Sequence, residues 1–322
     1  QLLGRRTMTT TFKAPHVAQT DFSLTSLGHH LETIPGAFGW LEDSRSLMGQ
    51  PEKLREKLET DGYLYLRGAL DAELVSDAGG RLLEQLSELE MIQPGTAVSD
   101  GIARNPWKAR SCHSLVHSNQ PLQQLLFQGK MISVFELLLN SAIRHFDFTW
   151  IRVMGPGKGT APHADSVYMN RGTQQLYTAW TPLMEIPLEI GGLMVMPGSH
   201  RLSRLQKYFD SDVDSFCENR APRKPKDAHE WIGPVGDGKL SENPRVLRER
   251  LGLPWLTAET WQPGDVLIFH IHTLHASLDN HSDRIRMSVD TRYQRADEPA
   301  DPRWVGPNPP GHSKADRRSV IC

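Results

Sequence analysis

A change of texture near residue 143 constrains the fold most. Beyond it the chain breaks into short apolar or alternating runs at 146–154, 163–169, 176–185, 192–196, 257–261, 265–271 and 285–294. Turn clusters such as Gly155-Pro-Gly-Lys-Gly159 separate them. Runs of this length between turn signals predict strands. Before residue 143 the periodicity is mainly helical. Leu54 and Leu58 stand at i, i+4 in a short amphipathic helix over 51–60. Asp71 predicts the N-cap of a longer helix reaching about Met91. Two more helices fit 121–128 and 130–139, and 63–66 reads as a strand. Helices first and many short strands after predict a mainly β sandwich or barrel with helices packed outside.

The remaining stretches divide the chain. Residues 1–50 read as an irregular N-terminal arm, with 1–7 an extension if Met8 is the natural start. Residues 51–295 form the expected single domain. Within it, 201–256 is rich in charge, Pro and Gly and reads as an insertion between core strands, a possible lid. Residues 296–322 are a Pro-rich tail, ordered only if it docks.

Composition closes off several functions. Lys plus Arg is 36 and Asp plus Glu is 38, a net charge of −2, so no global field draws nucleic acid or an anionic membrane. No apolar run approaches the ~20 residues of a membrane span, and the first residues lack a secretory pattern. Three scattered cysteines, Cys112, Cys217 and Cys322, suit a reducing cytoplasm better than a disulfide framework. Oligomeric state leaves no mark on the sequence.

The chemistry starts at His163-Ala164-Asp165. In an extended segment, residues two apart share a face, so this imidazole and carboxylate converge. A second imidazole would complete the two-His, one-carboxylate set that leaves open positions on non-haem iron. The tripeptide alone is weak evidence, since a single His is more often a surface or core residue. A later segment supplies the missing parts. Pro263-Gly264-Asp265 is a turn before an apolar strand; His275 follows that strand and precedes the polar turn 279–283. Arg286 and Ser288 then stand two apart on the next strand. A guanidinium forks onto a carboxylate and a hydroxyl adds one bond, a grip suited to the distal carboxylate of 2-oxoglutarate.

These pieces resemble the phytanoyl-CoA dioxygenase family of Fe(II)/2-oxoglutarate-dependent oxygenases. The likeness rests on Pro162-His-Ala-Asp165, Gly192-Leu-Met-Val-Met-Pro-Gly-Ser-His-Arg201, Pro263-Gly-Asp265, the spacing of eleven from His275 to Arg286, and Asp61-Gly-Tyr63. It covers roughly residues 50 to 296. It implies a double-stranded β-helix (a cupin-like jelly roll) with flanking helices. It also implies His163, Asp165 and His275 as metal ligands and as the catalytic centre. Arg286 becomes the 2-oxoglutarate anchor, with Ser288 as its helper. The cofactors implied are Fe(II), 2-oxoglutarate and O2, with ascorbate helpful in vitro. The implied reaction couples conversion of 2-oxoglutarate to succinate and CO2 with hydroxylation of an unactivated C–H bond in a small organic substrate. Related halogenases carry a small residue where Asp165 stands, so a carboxylate there favours hydroxylation, desaturation or ring formation. The alternatives are a 2-oxoglutarate-independent metal enzyme on the same barrel and a catalytically silent homologue.

Other residues carry both a functional and a plainer reading. His272 is the runner-up to His275, and His270 reads as structural. Arg284 shares the parity of Arg286 but sits at the turn, where solvent is the default. Trp180 either lines the cosubstrate pocket or fills the core. Tyr168 and Asn170 have the wrong parity for the metal, although Tyr168 can reach the pocket past the strand end. Arg152 and Lys158 either meet an acidic substrate or stay solvated. The basic residues of the insertion, Arg201, Arg204, Lys207, Arg220, Arg223, Lys224 and Lys226, are mixed with acids and read as a solvated loop or a cationic lid. His200 reads as a turn-holding residue. The glycines at 191–192 and 198 open no βαβ unit, and no Gly-x-Ser-x-Gly elbow exists, which argues against dinucleotide binding and serine hydrolysis.

Overall fold

The computed structural model describes residues 23–214 and 238–312. Sequence readings on 1–22, on 215–237 (Cys217, Arg220, Arg223, Lys224 and Lys226 among them) and on 313–322 lie outside the described residues.

Four helices open the core: α1 (Pro51–Asp61), α2 (Ala72–Glu88), α3 (Gln120–Phe127) and α4 (Gly129–Leu139). Their starts follow the local chemistry. Asp71 accepts from the backbone N–H of Glu73 and Leu74, as its N-cap position predicts. Asn119 does the same for Leu122. Gly62, at φ +80°, ends α1 in a left-handed turn, so that β4 (Tyr63–Leu66) starts at once.

Three short strands precede α1: β1 (Thr25–Ser26), β2 (His29–His30) and β3 (Phe38–Trp40). The others are β5 (Ile143–His145), β6 (Trp150–Met154), β7 (Tyr177–Pro182), β8 (Ile186–Pro187), β9 (Leu193–Val195), β10 (Trp255–Thr257), β11 (Thr260–Trp261), β12 (Val266–His270), β13 (His275–Ser277) and β14 (Arg286–Arg295). A major sheet runs β4-β12-β7-β14-β5, with β6 also on β14. A minor sheet runs β13-β9-β10-β3. Tyr63, Tyr65, Trp180, Leu267 and Phe269 of the major sheet pack with Leu193, Val195 and Leu256 of the minor sheet between the layers. The opposite face of the major sheet, with Leu64, Ile268, Ala179 and Val289, buries against α1 to α4. This is the expected jelly-roll sandwich with external helices.

Three expectations need correction. The 163–169 run is not a strand. His163 makes an isolated antiparallel bridge to His275, and Asp165–Val167 is a 3-10 turn. Residues 162–167 are all buried, without forming a ladder. The arm before residue 50 is not wholly irregular, because β3 pairs in parallel with β10 and joins the minor sheet. The described parts of 201–256 are not simply a solvated loop. They form α5 (Gln206–Phe209) and α6 (Pro244–Leu251), whose Tyr208, Phe209, Leu247 and Leu251 pack with Met194, Met196 and Ala276 behind the minor sheet. The tail docks over its described part, with Trp304 against Trp150 at 4.9 Å between ring centres. No helix among the described residues is long and apolar enough to cross a membrane.

The helical layer sits close to the sheet at one point. A Cβ on Gly79 of α2 would lie 2.1 Å from the Leu183 carbonyl oxygen, whereas one on Gly80 would meet nothing within 4 Å. Gly→Ala in a helix interior gains about 1 kcal/mol from propensity alone. Chemical denaturation should therefore show Gly80→Ala stabilised by about that amount, and Gly79→Ala destabilised by about 1–3 kcal/mol through overpacking. Equal effects at the two positions would refute this account of the contact.

Candidate metal centre

His163 and His275 are joined through their backbones. Each N–H donates to the other's carbonyl, at 3.0 and 2.9 Å, which brings the imidazoles to 4.1 Å between ring centres. Ala164 is extended, with φ −118° and ψ 145°, before the chain enters the 3-10 turn. With His163 bridged to His275 and Ala164 extended, the Asp165 carboxylate comes to the same side as His163. Its Oδ1 lies 3.9 Å from His163 Nε2 and 3.7 Å from His275 Nε2. One ligand atom from each of the three residues falls within 4.8 Å of the others, and all three are buried.

Both imidazoles are oriented for ligation. His163 Nδ1 lies 2.7 Å from the Ala161 carbonyl, and His275 Nδ1 lies 3.0 Å from the Thr273 carbonyl. A carbonyl only accepts, so each Nδ1 carries the proton and each Nε2 offers its lone pair to the centre. Burial pushes His163 down to about 3, with the neighbouring His275 adding to it. Burial likewise lowers His275. Both rings are therefore neutral near pH 7, as ligation requires. Burial would raise the Asp165 carboxyl, but the Arg292 guanidinium, then both imidazoles and the Thr178 hydroxyl, hold it well below the usual carboxylate range. The trio offers two neutral nitrogens and one anionic oxygen, a donor set suited to ferrous iron.

On the facing sheet, Arg286, Ser288, Asp290 and Arg292 alternate along the inner face of β14. Arg286 is 3% exposed and donates from Nη1 to the Gly191 carbonyl at 3.0 Å. Its Nε and the Ser288 Oγ are buried without a hydrogen-bond partner. No carboxylate lies within ion-pair distance of Arg286 among the described residues. Burial, aided by the charge of Arg152, brings its guanidinium down to about 10. A buried cation beside an unanswered hydroxyl fits a site for a carboxylate ligand.

The other candidates fall into place. Trp180 is 2% exposed on the inner face, opposite Asp290 and Leu267, and packs edge-on against Trp261. His272 stacks on Phe209 and meets Gln174, and His270 faces Tyr177 on the outer side; neither joins the trio. Arg284 reaches the Asp100 carbonyl instead of the interior. Tyr168 sits edge-on to His163 at 5.6 Å, while Asn170 bonds the Ser211 carbonyl. His200 bonds the Glu59 carbonyl at the end of α1. Arg152 is not a solvated surface residue, because it pairs with Asp290 at 2.9 Å inside the sandwich. Sequence reasoning missed Thr178 and Arg292, which both bond Asp165, and the Asp290 that holds Arg292. Their signal was present as the polar alternation 286, 288, 290, 292 in a strand whose other face is apolar.

Two imidazoles and a carboxylate gathered between jelly-roll sheets, with an anion-seeking guanidinium on the opposing sheet, define the class of non-haem iron and 2-oxoglutarate oxygenases. The chain belongs to the phytanoyl-CoA dioxygenase (PhyH) family, whose pattern matches residues 58–288. It is 29% identical over 264 residues to a 1-deoxypentalenic acid 11-beta-hydroxylase of Streptomyces exfoliatus, covering 79% of this chain and 84% of the relative. The hydroxylase of the same description from Streptomyces arenae is 27% identical over the same shares. Among solved structures, the carbocyclase SnoK from nogalamycin biosynthesis superposes with a TM-score of 0.55 at 19% identity, over 84% of this chain and 91% of that one. The epimerase SnoN, solved with Fe3+, alpha ketoglutarate and nogalamycin RO, gives 0.52 at 20% identity, over 79% and 87%. At such identities these structures share the fold.

Arg286 carries a stability consequence. An unpaired buried charge is costly, and an apolar replacement of similar volume is often neutral or stabilising. The Arg286→Met protein without ligands should melt at or above the wild-type temperature. A loss of more than about 2 kcal/mol would instead mean that the guanidinium anchors the fold, as breaking a true internal ion pair does.

Proposed function

We propose that His163, Asp165 and His275 hold Fe(II), and that Arg286 grips the distal carboxylate of 2-oxoglutarate, with Ser288 adding a hydrogen bond and Trp180 walling the pocket. The observation that carries this reading is the pairing of two features: a neutral-imidazole and carboxylate trio, and a buried guanidinium with no carboxylate at ion-pair distance among the described residues. Bound there, Fe(II) with 2-oxoglutarate and O2 supplies the chemistry that hydroxylates a C–H bond while the keto acid becomes succinate and CO2. The protein's own part is geometric and electrostatic. The backbone bridge between His163 and His275 fixes the spacing of the imidazoles. The Ala161 and Thr273 carbonyls fix their tautomers. The buried sandwich keeps bulk water from the reacting centre.

The substrate in this reading is a small organic molecule bearing an unactivated C–H bond. The hydroxylase relatives, named for an acid of that kind, support it. A cytoplasmic enzyme is the accompanying reading, supported by a free, buried Cys112.

Anaerobic titration with Fe(II) and 2-oxoglutarate should give a weak visible charge-transfer band. His275→Ala should abolish it, and His272→Ala should retain it. Arg286→Ala should raise the KM for 2-oxoglutarate roughly 10–100-fold, the loss of about 1.5–3 kcal/mol of charge-assisted hydrogen bonding. Succinate release, with ascorbate present, then screens substrates. A 2-oxoglutarate-independent enzyme would show turnover indifferent to Arg286→Ala. A silent homologue would bind both ligands and release no succinate with any substrate.

A further inference from the structure

The two oxygens of Asp165 face different partners. Oδ1 faces the imidazoles. Oδ2 accepts the Thr178 hydroxyl at 2.5 Å and Arg292 Nη2 at 2.8 Å. The Arg292 fork is itself held. Its Nη1 donates to Asp290 Oδ2 at 2.6 Å, and its plane lies over the Trp150 ring at 3.9 Å. Asp290 in turn accepts Arg152 Nε on Oδ1 at 2.9 Å. Arg152 stands opposite Ser288 in the β6–β14 register, and its charge is felt at Arg286. An alternating row, Asp165, Arg292, Asp290, Arg152, thus runs along the inner face from the trio toward Arg286.

We propose that Arg292 is a positioning residue for Asp165, and that with Asp290 and Arg152 it locks Oδ2 so that Oδ1 alone is presented to the ion. This rests on the iron-binding reading above. An unheld carboxylate rotates about its Cβ–Cγ bond and can chelate through both oxygens, which would occupy a position the cosubstrate needs. Thr178 alone does not prevent this, because a single hydroxyl follows the rotation. A guanidinium bonded at both prongs and stacked on an indole does not follow, since its donors are fixed in one plane. Lysine at 292 would keep the charge but could not span Asp165 and Asp290 with the same geometry. The row also gives the trio a physical connection to Arg286, through Arg152.

Co(II) titration of the full chain tests this, because the visible ligand-field band reports coordination number without turnover. Dissociation constants and band shapes are measured for wild type, Arg292→Lys, Asp290→Asn and Arg152→Gln, each checked for folding by thermal melting without metal. Arg292→Lys and Asp290→Asn are expected to weaken Co(II) roughly 10–100-fold, the range seen when outer partners of metal ligands are lost, and to change the band as Oδ2 is released. Arg152 is 28% exposed, so its variant should fold even if the buried ones do not. It should weaken Co(II) several-fold without altering any ligand. Wild-type affinity and band shape in the folded variants would overturn the positioning role. A wild-type protein that takes up no Co(II), like the His275→Ala control, would instead refute the metal reading itself.

Discussion

A carboxylate at 1% exposure is the constraint around which this interior is arranged. Water cannot stabilise the Asp165 charge, so fixed donors must. Arg292 meets that need, but it brings a second buried charge, and Asp290 balances it. Arg152 then shares Asp290 and reaches toward the rim. Each member of the row is tolerable only because its neighbour is present. The strand that carries two members of the row, β14, is buried over almost its entire length, with Val289, Met287 and Tyr293 on the helix-covered face. One strand therefore does two jobs. Its even-numbered residues organise charge between the sheets, and its odd-numbered residues hold the helices.

Much of this was legible in the sequence because it follows local periodicity. The helices at 51–61, 72–88, 120–127 and 129–139 were marked by apolar spacing, and the second of them by its cap at Asp71. The placement of His275 and Arg286 on either side of one polar turn was legible from the turn residues at 279–283. What failed was non-local. Phe38–Trp40 is too short to show alternation, and it becomes a strand only because β10 offers an open edge. The helix over Pro244–Leu251 sits in a charged stretch, and its apolar face shows only against the back of the minor sheet. The same-face argument for His163 and Asp165 reached the right geometry from a wrong element. An isolated bridge at His163 and an extended Ala164 sufficed where a whole strand was expected.

Burial on the two sides of the minor sheet explains why the site is so firmly placed. Ala276 and Met194 face Tyr208, Phe209 and Leu247 on one side, while His275 and Val195 face the interior on the other. The Tyr208 hydroxyl donates to the Gly238 carbonyl and accepts the Ala164 N–H, so it grips the residue between the two ligands of the tripeptide. The described part of the insertion thus supports the tripeptide from behind. On the other sheet, Trp304 of the tail packs on Trp150, the platform beneath Arg292. Two segments that composition alone marks as peripheral therefore buttress the residues nearest the centre.

The charge balance of the interior separates what the fold satisfies from what it leaves to a ligand. Arg152, Arg286 and Arg292 face Asp165 and Asp290, three cations against two anions. The surplus falls on Arg286, because the other two guanidiniums are paired with carboxylates. If the surplus lay at Arg292, the trio would be poorly shielded and a cation would be repelled from it. Placing it at Arg286 separates the two demands. The trio, with its carboxylate held and its imidazoles neutral, remains receptive to a cation, while the unbalanced positive charge sits where a dicarboxylate can answer it. The order of charges along β14 therefore sets the paired Arg292, beside the held carboxylate, apart from the unpaired Arg286.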